Sequence, residues 1–341
     1  MSKLSVKENF LETVKKGGKP DAIVVQWGPL MAFPPRDMVE PCYTFMANGL
    51  RPGVNIVNRW GVEVLWPPGQ PGGTPLITEE NKVIKDITRW RDYFNEPDIE
   101  EATKEGWEPA LARVKQIREE GGMAVAFMPN GMFEQMHFMM GFEDALAGLL
   151  EDPEDCHELL DAICEFKCKH ARILVEKYDF DAILTHDDWG AKNTMFMSPD
   201  TWREFFKERY TKFFKIFRDA GILVVHHADS YLEPIVEDLV DIGIDVWQGV
   251  LPQNDIPKIQ KQLGGRMALM GGIDNAIVEA HGVTEEEIRA EVRRVCEEYV
   301  PGENFIPCLP SGTRKGAINP EVDRIIEDEI QKCSERLFPG T

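Results

Sequence analysis

The sequence has no long apolar run, and this absence argues against a membrane-spanning helix. None of the hydrophobic stretches in its 341 residues approaches the roughly 20 residues that cross a bilayer. Basic residues are also scarce: 38 Lys and Arg stand against 59 Asp and Glu, for a net charge of −21. Such a surface repels nucleic acid and anionic membranes, so neither is expected as a partner.

Cysteine is sparse too, with seven residues, an odd count, and no dense spacing. This usage fits reduced thiols rather than a disulfide framework, and it predicts a cytoplasmic protein. The first residues are polar and helix-like, which predicts an N-terminal helix (1–20) instead of a signal peptide. The nucleotide-binding patterns GxGxxG and GxxxxGK[ST] are missing as well.

What the chain does contain is an alternation of short apolar runs and long amphipathic segments. Helices are predicted at 153–178 and from Ser198-Pro199 to Gly221, where serine is a suitable cap and glycine a suitable stop. Strands that are apolar on both faces and separated by helices indicate a parallel sheet covered on both sides. The predicted strands are 21–29, 54–66, 123–131, 181–188, 222–229, 245–252, 267–274 and 305–312.

Eight strands that alternate with helices predict an α/β fold of the (β/α)8 barrel type, built as one domain over residues 1–341. An open doubly wound sheet is the alternative, and the missing glycine-rich patterns disfavour it. A Pro/Gly-rich segment at 67–80 predicts a loop over the barrel mouth.

Polar residues recur where the predicted strands end, and in parallel α/β folds the chemistry gathers at that end. His227 and Asp229 share one face of an extended strand, whereas His226 points toward the helix layer. Imidazole, carboxylate and thiolate are all zinc ligands, so these two residues and Cys308, at the end of the last strand, predict a zinc site. The alternative is a His–Asp hydrogen bond at the mouth with Cys308 as a buried apolar residue.

Two segments, 198–256 and 266–275, resemble the uroporphyrinogen decarboxylase superfamily. In that superfamily a Ser-Pro-led helix precedes a strand that ends in a histidine-containing turn, and GxD and GGID strands follow. The resemblance extends back through 142–163 and implies a (β/α)8 barrel. It does not include the arginine-rich motif with which the decarboxylases hold substrate carboxylates, because 24–37 contains one arginine, Arg36.

The resemblance is closest to the corrinoid-dependent methyltransferases, whose zinc is bound by a His-x-Cys pair and a later cysteine. Here those positions are His227, Asp229 and Cys308, so a carboxylate replaces one thiolate and makes a harder, more Lewis-acidic site. The resemblance implies a zinc-dependent methyltransferase that passes a methyl group from a small methylated substrate, such as an O-methyl ether, to a corrinoid carried by a partner protein. Many barrels of this superfamily dimerise, which leaves a homodimer as an open alternative.

Other residues near the predicted strand ends are assigned roles around this site. Asp187 and Asp188 would orient His227 or accept a substrate hydroxyl, and capping a helix that starts before Trp189-Gly190 is their alternative role. Glu134 would supply a further ligand or an acid, unless it is an exposed loop carboxylate. The predicted substrate contacts are Trp27, Met128, Asn130, Phe133, Gln248 and Asp274.

Two further functions remain open from the sequence. A metal-free decarboxylase of a small carboxylated substrate would need a cationic pocket, for which Arg36, Arg59 and Arg314 are the candidates. A barrel that binds a ligand without catalysis is the other, since one of the family's two cysteines is replaced by Asp229.

Overall fold

The protein is described here by a computed structural model that covers residues 3–33, 51–68, 73–102, 107–311 and 319–339. Within these ranges the strands are β1 (Leu30–Phe33), β2 (Asn55–Val57), β3 (Glu63–Leu65), β4 (Thr74–Pro75), β5 (Met123–Met128), β6 (Ala182–His186), β7 (Leu223–His227), β8 (Val246–Val250), β9 (Ala268–Gly272) and β10 (Phe305–Cys308).

The helices of the same ranges precede, connect and follow these strands. A π-helical segment, Arg203–Lys207, joins the eighth helix to the ninth. The helices are α1 (Val6–Val14), α2 (Trp90–Tyr93), α3 (Ile99–Ala102), α4 (Glu108–Glu119), α5 (Met132–Met140), α6 (Phe142–Glu151), α7 (Pro153–Lys177), α8 (Pro199–Trp202), α9 (Glu208–Asp219), α10 (Val236–Asp241), α11 (Ile256–Leu263), α12 (Asn275–Val278), α13 (Glu285–Tyr299) and α14 (Pro320–Leu337).

The main sheet is parallel and has the spatial order β1-β5-β6-β7-β8-β9-β10. Leu30 on one edge strand and Ile306 on the other belong to the same buried cluster, together with Val125, Val225 and Val246 from strands between them. A shared cluster requires the sheet to curl until its two edges face each other. The architecture is therefore the predicted (β/α)8 barrel, of which seven parallel strands lie among the described residues.

Local sequence signals explain where several elements begin and end. The Ser198 hydroxyl accepts a hydrogen bond from the Thr201 amide at 3.0 Å, and Pro199 occupies the first turn of α8, as predicted. The predicted stop at Gly221 is confirmed, because that glycine has a positive φ of 74° just after α9. None of the helices that the structure describes has the length and apolar character needed to cross a bilayer.

Two predicted barrel strands are wrong. Residues 21–29 do not form a strand, because Gln26 and Gly28 have φ near +50° and turn the chain before β1 begins at Leu30. Residues 54–66 fold into the antiparallel β2–β3 hairpin instead. Asn58 causes this reversal, since its side-chain oxygen accepts hydrogen bonds from the amides of Trp60 and Val62.

The N-terminal helix is shorter than the predicted 1–20, because a capping box between Ser5 and Glu8 starts α1 at Val6. The predicted loop at 67–80 contains β4, which pairs with β3 in a small second sheet, and its residues 69–72 lie outside the described residues. Its placement over the barrel mouth stays a prediction.

Candidate active site

The ends of β6 and β7 carry the same His-x-Asp spacing on neighbouring strands. His186 pairs in register with His227, and their ring centroids are 4.7 Å apart. Two residues further on, the amide of Asp229 donates a hydrogen bond to the carboxylate of Asp188 at 3.1 Å. Two imidazoles and two carboxylates therefore lie side by side at the carboxyl end of the barrel, where active sites of this fold are found.

His186 lies between two carboxylates. Its Nδ1 is 3.0 Å from Oε2 of Glu134, and its Nε2 is 3.3 Å from Oδ2 of Asp188. Burial alone would lower the pKa of His186, but the negative charges of Glu134 and Asp188 outweigh burial and hold that pKa well above its usual value. Burial would likewise raise the pKa of Asp188, yet its hydrogen bond to His186 lowers it to about 2. The His186 side chain is 26% exposed, so this group is accessible from the mouth.

Asp187, between His186 and Asp188 in sequence, is fully buried and anchors the start of α5. Its carboxylate accepts hydrogen bonds from the amides of Phe133 and Glu134, at 3.0 and 2.9 Å, and from the indole of Trp189 and the hydroxyl of Tyr210. Burial and the charge of Glu134 raise the pKa of Asp187 to about 7. The alternative predicted for Asp187, a cap of a helix before Trp189-Gly190, is wrong, because no helix begins at that point of the described chain and the carboxylate caps the start of α5 instead. This cap fixes the turn that carries Glu134.

Close packing at Gly131 holds the same helix start. A Cβ added to this glycine would lie 2.0 Å from Cγ of Asp187, which is closer than any real contact. Glu134 is therefore neither an exposed loop residue nor free to move, since it is 7% exposed and lies in the first turn of α5.

Gln248 on β8 lies between the predicted ligands His227 and Cys308. Its Oε1 is hydrogen-bonded to Nδ1 of His227, and its amide nitrogen donates to the carbonyl oxygens of Leu309 and Pro310. Those two carbonyls orient the amide, so Nδ1 of His227 carries its hydrogen and Nε2 holds the lone pair. Burial and the nearby charge of His186 lower the pKa of His227 to about 4.

Cys308 lies deeper in the barrel than His227 and Gln248. It is fully buried in the barrel interior with Ile306 and Met270, and its thiol contacts the Gln248 side chain. Burial raises the pKa of the Cys308 thiol far above its usual value, which keeps the sulfur protonated. Asp229 is nearer the mouth, where burial and the charge of Asp188 raise its pKa to about 7.

The predicted zinc ligands do not form a compact group. In the described part of the chain, the one set of three His, Cys, Asp or Glu residues whose ligand atoms all lie within 4.8 Å of one another is Glu134, His186 and Asp188. His227, Asp229 and Cys308 are not such a set, because Cys308 lies in the barrel interior against Gln248. A metal ion fits the first set better, while the ligand role of the predicted set stays a prediction.

The predicted substrate contacts fall into different environments. Met128 and Phe133 are buried in the hydrophobic core, and Trp27 is half-buried against the interior cluster. Asn130 is buried, and its carbonyl accepts a hydrogen bond from Lys167. Asp274 caps α12 by accepting from the amide of Ala276 at 3.0 Å. Contact with a substrate stays a prediction for all six, including Gln248.

His226 points into the helix layer, as predicted from strand alternation. Its ring stacks on Trp189 with centroids 4.7 Å apart, and its Nδ1 is 2.8 Å from the hydroxyl of Thr185. His186 is the residue that sequence reasoning missed as a site residue. The signal was present, because His186 and Asp188 repeat the spacing of His227 and Asp229 at the end of the preceding strand.

A (β/α)8 barrel with imidazoles and carboxylates at the carboxyl ends of its strands defines the broad class of barrel enzymes. Sequence comparison gives the family: the model of "Uroporphyrinogen decarboxylase (URO-D)" matches residues 56–317. The chain belongs to the uroporphyrinogen decarboxylase family.

Two relatives illustrate what the chain is similar to. A uroporphyrinogen decarboxylase of Thioalkalivibrio sulfidiphilus (strain HL-EbGR7) is 27% identical over 193 residues, which are 54% of this chain and 51% of the relative. The chain thus matches about half the length of this curated relative. A solved structure, a methyltransferase from Methanosarcina mazei, superposes with a TM-score of 0.66 at 16% identity, over 98% of this chain and 100% of the other. At that identity the likeness shows a shared fold.

Proposed function

We propose that this protein transfers a methyl group between a small methylated substrate, such as an O-methyl ether, and a corrinoid carried by a partner protein. The similarity in fold to the methyltransferase from Methanosarcina mazei, over nearly the whole chain, supports this class. The observation that carries the proposal is the charge of the mouth, where Glu134, Asp188 and Asp229 lie around His186.

The carboxylates at the mouth favour methyl transfer over decarboxylation of a carboxylated substrate. In the described part of the chain, the ion pairs of Glu134 and Asp188 are with His186 and not with lysine or arginine. A substrate rich in carboxylates would meet charges of its own sign, whereas an uncharged methylated substrate would not. Of the arginines considered for a decarboxylase, Arg59 is exposed in the turn of the β2–β3 hairpin, and Arg36 and Arg314 lie outside the described residues.

The side chains at the mouth would bind and orient the substrate. Gln248 fixes the tautomer of His227, so Nε2 presents a lone pair toward the mouth. Glu134 and Asp188 hold the ring of His186 from both sides, which fixes its orientation. Zinc, the ion that the resemblance implies, would supply a Lewis acid for the oxygen that releases the methyl group.

The test supplies the corrinoid directly. Purified protein is incubated with cob(I)alamin and, in separate reactions, a methoxylated aromatic compound, methanol, a methylamine or a thioether, and methylcobalamin is measured by its absorption. We expect methylation with at least one donor class, reduced at least about tenfold in the His186→Ala variant. Failure with all four donors would refute the proposal, and release of CO2 from a carboxylated tetrapyrrole would support decarboxylation in its place.

A further inference from the structure

We propose that Glu134, His186 and Asp188 bind a divalent cation through nitrogen and oxygen ligands alone, and that Cys308 is not a ligand. The inference moves the metal from the β7–β10 side of the barrel mouth to the β5–β6 side. A role of this cation in methyl transfer rests on the proposed function, whereas binding of the cation can be measured without any reaction.

The first argument is geometric. The three ligand atoms lie within 4.8 Å of one another, and the contacts of His186 with Glu134 and Asp188 are 3.0 and 3.3 Å. Bonds of about 2.0–2.2 Å to a tetrahedral divalent ion place its ligands about 3.3 Å apart. Glu134 contacts Nδ1 and Asp188 contacts Nε2, and only one of these ring nitrogens can bind the ion. The second carboxylate must therefore close from at most 4.8 Å to about 3.3 Å from the bound nitrogen.

Rigid support of the three side chains is the second argument. Glu134 lies in the first turn of α5, and that turn is held by the carboxylate of Asp187. Asp188 is held through its other oxygen, which accepts hydrogen bonds from the amide of Asp229 and the hydroxyl of Ser230 at 3.1 and 3.0 Å. Ligands that are oriented by outer hydrogen bonds are typical of metal sites.

An independent observation comes from the neighbouring strand. His227 on β7 is 9% exposed, and its ring centroid is 4.7 Å from that of His186. Gln248 occupies its Nδ1, and in the described residues its Nε2 has no hydrogen-bond partner. The ring is largely buried, but Nε2 itself is not among the buried unpaired atoms of the described chain, and His227 lies outside the group of three. A lone pair at this position could serve as a fourth ligand if the ring moves toward the ion.

The sulfur of Cys308 is excluded by position. It packs in the barrel interior with Ile306, and the side chain of Gln248 lies against it and against His227. Moving Gln248 aside would break its hydrogen bonds to Leu309 and Pro310 as well. Imidazole and carboxylate ligands without sulfur suit Zn²⁺, Co²⁺, Fe²⁺ and Mn²⁺ rather than soft ions such as Cu⁺.

The experiment uses the full chain after chelator treatment, titrated with Zn²⁺ and, as a spectroscopic probe, with Co²⁺. Bound metal is measured by mass spectrometry, and ligand type by the thiolate-to-cobalt charge-transfer absorption that a sulfur ligand produces. We expect about one equivalent of metal and no such band in the wild-type protein. The His186→Ala variant loses at least about tenfold in affinity, because even changes to outer-shell partners cost about 10–100-fold.

The matched control is Cys308→Ala, which removes a buried sulfur and is expected to change the affinity by less than about threefold. The Glu134→Gln variant keeps the shape of the side chain and serves if His186→Ala does not fold. A charge-transfer band, loss of metal in Cys308→Ala, or a wild-type protein that binds neither ion would overturn the inference. Bound metal without methyl transfer would refute the proposed function alone, and methyl transfer without bound metal would refute the cation site alone.

Discussion

Replacing Tyr210 by phenylalanine tests the anchor that holds the start of α5. The hydroxyl of Tyr210 donates to the carboxylate of Asp187 and accepts from the amide of Met132 at 2.9 Å, and the residue is 1% exposed. The substitution removes one hydrogen bond to a carboxylate, worth about 1.5–3 kcal/mol, and leaves a buried amide unpaired at about 1–3 kcal/mol. Since neighbouring terms are not additive, we expect the free energy of unfolding to fall by about 2–4 kcal/mol.

The measurement is equilibrium urea denaturation followed by tryptophan fluorescence, because Trp189 lies 5.2 Å from the Tyr210 ring and reports on this region. Tyr231→Phe is the matched control, since the Tyr231 hydroxyl makes no hydrogen bond in the described part of the chain. The control should shift stability by less than about 0.5 kcal/mol. A Tyr210→Phe variant as stable as this control would refute the reasoning that the hydroxyl supports the helix start.

Two other substitutions probe the framework of the mouth. Gly131→Ala places a Cβ 2.0 Å from Cγ of Asp187 and should lower the free energy of unfolding by more than about 3 kcal/mol or prevent folding. Gly121→Ala is the control, because this glycine has φ +77° and no atom within 4 Å of an added Cβ, and it should lower stability by about 1–2 kcal/mol. Equal losses of stability in thermal unfolding would contradict the clash at Gly131. Asn254→Ala removes two buried hydrogen bonds, with Leu232 and Ser230, and two part-buried ones, with Glu233 and Leu251. It should lower the free energy of unfolding by about 2–4 kcal/mol in urea. Asn275→Ala, at the half-buried start of α12, removes one exposed hydrogen bond to Glu279 and should lower it by less than about 1 kcal/mol. A similar loss in both variants would argue against this account.

Six of the eight predicted strands are confirmed, because each is a short apolar run whose ends are marked by glycine, proline or a polar residue. The remaining two runs are equally apolar but contain turn residues whose effect depends on backbone geometry. Asn58 reverses the chain inside 54–66 through its own side chain, and Gln26 takes a positive φ that its residue type does not announce. Apolar patterning could not distinguish these turns from barrel strands.

The candidate site was predicted in part. Glu134, Asp188 and His227 lie together at the mouth, as expected for residues at or just after the ends of adjacent parallel strands. The depth of Cys308 could not be read from its position in the chain, because it depends on how Gln248 from another strand fills the space above it. Asp187 supports α5 and Asp188 contacts His186, because consecutive residues at a strand end point in opposite directions. Which of the two faces the site depends on the packing of neighbouring elements and could not be read from the sequence.

The anchoring of α5 to β6 has a consequence for how this barrel can change. Strand β6 carries His186 and Asp188, and Asp187 of the same stretch pins the helix that carries Glu134, so one βα unit and its neighbour form a rigid block. The loops that follow β8, β9 and β10 contribute nothing to that block among the residues described. Apart from Asn254, which holds the loop after β7, and the carbonyls of Leu309 and Pro310, which orient Gln248, the described residues of these loops are expected to tolerate change. New substrates could then be accommodated there while His186, Asp188 and Glu134 stay unchanged.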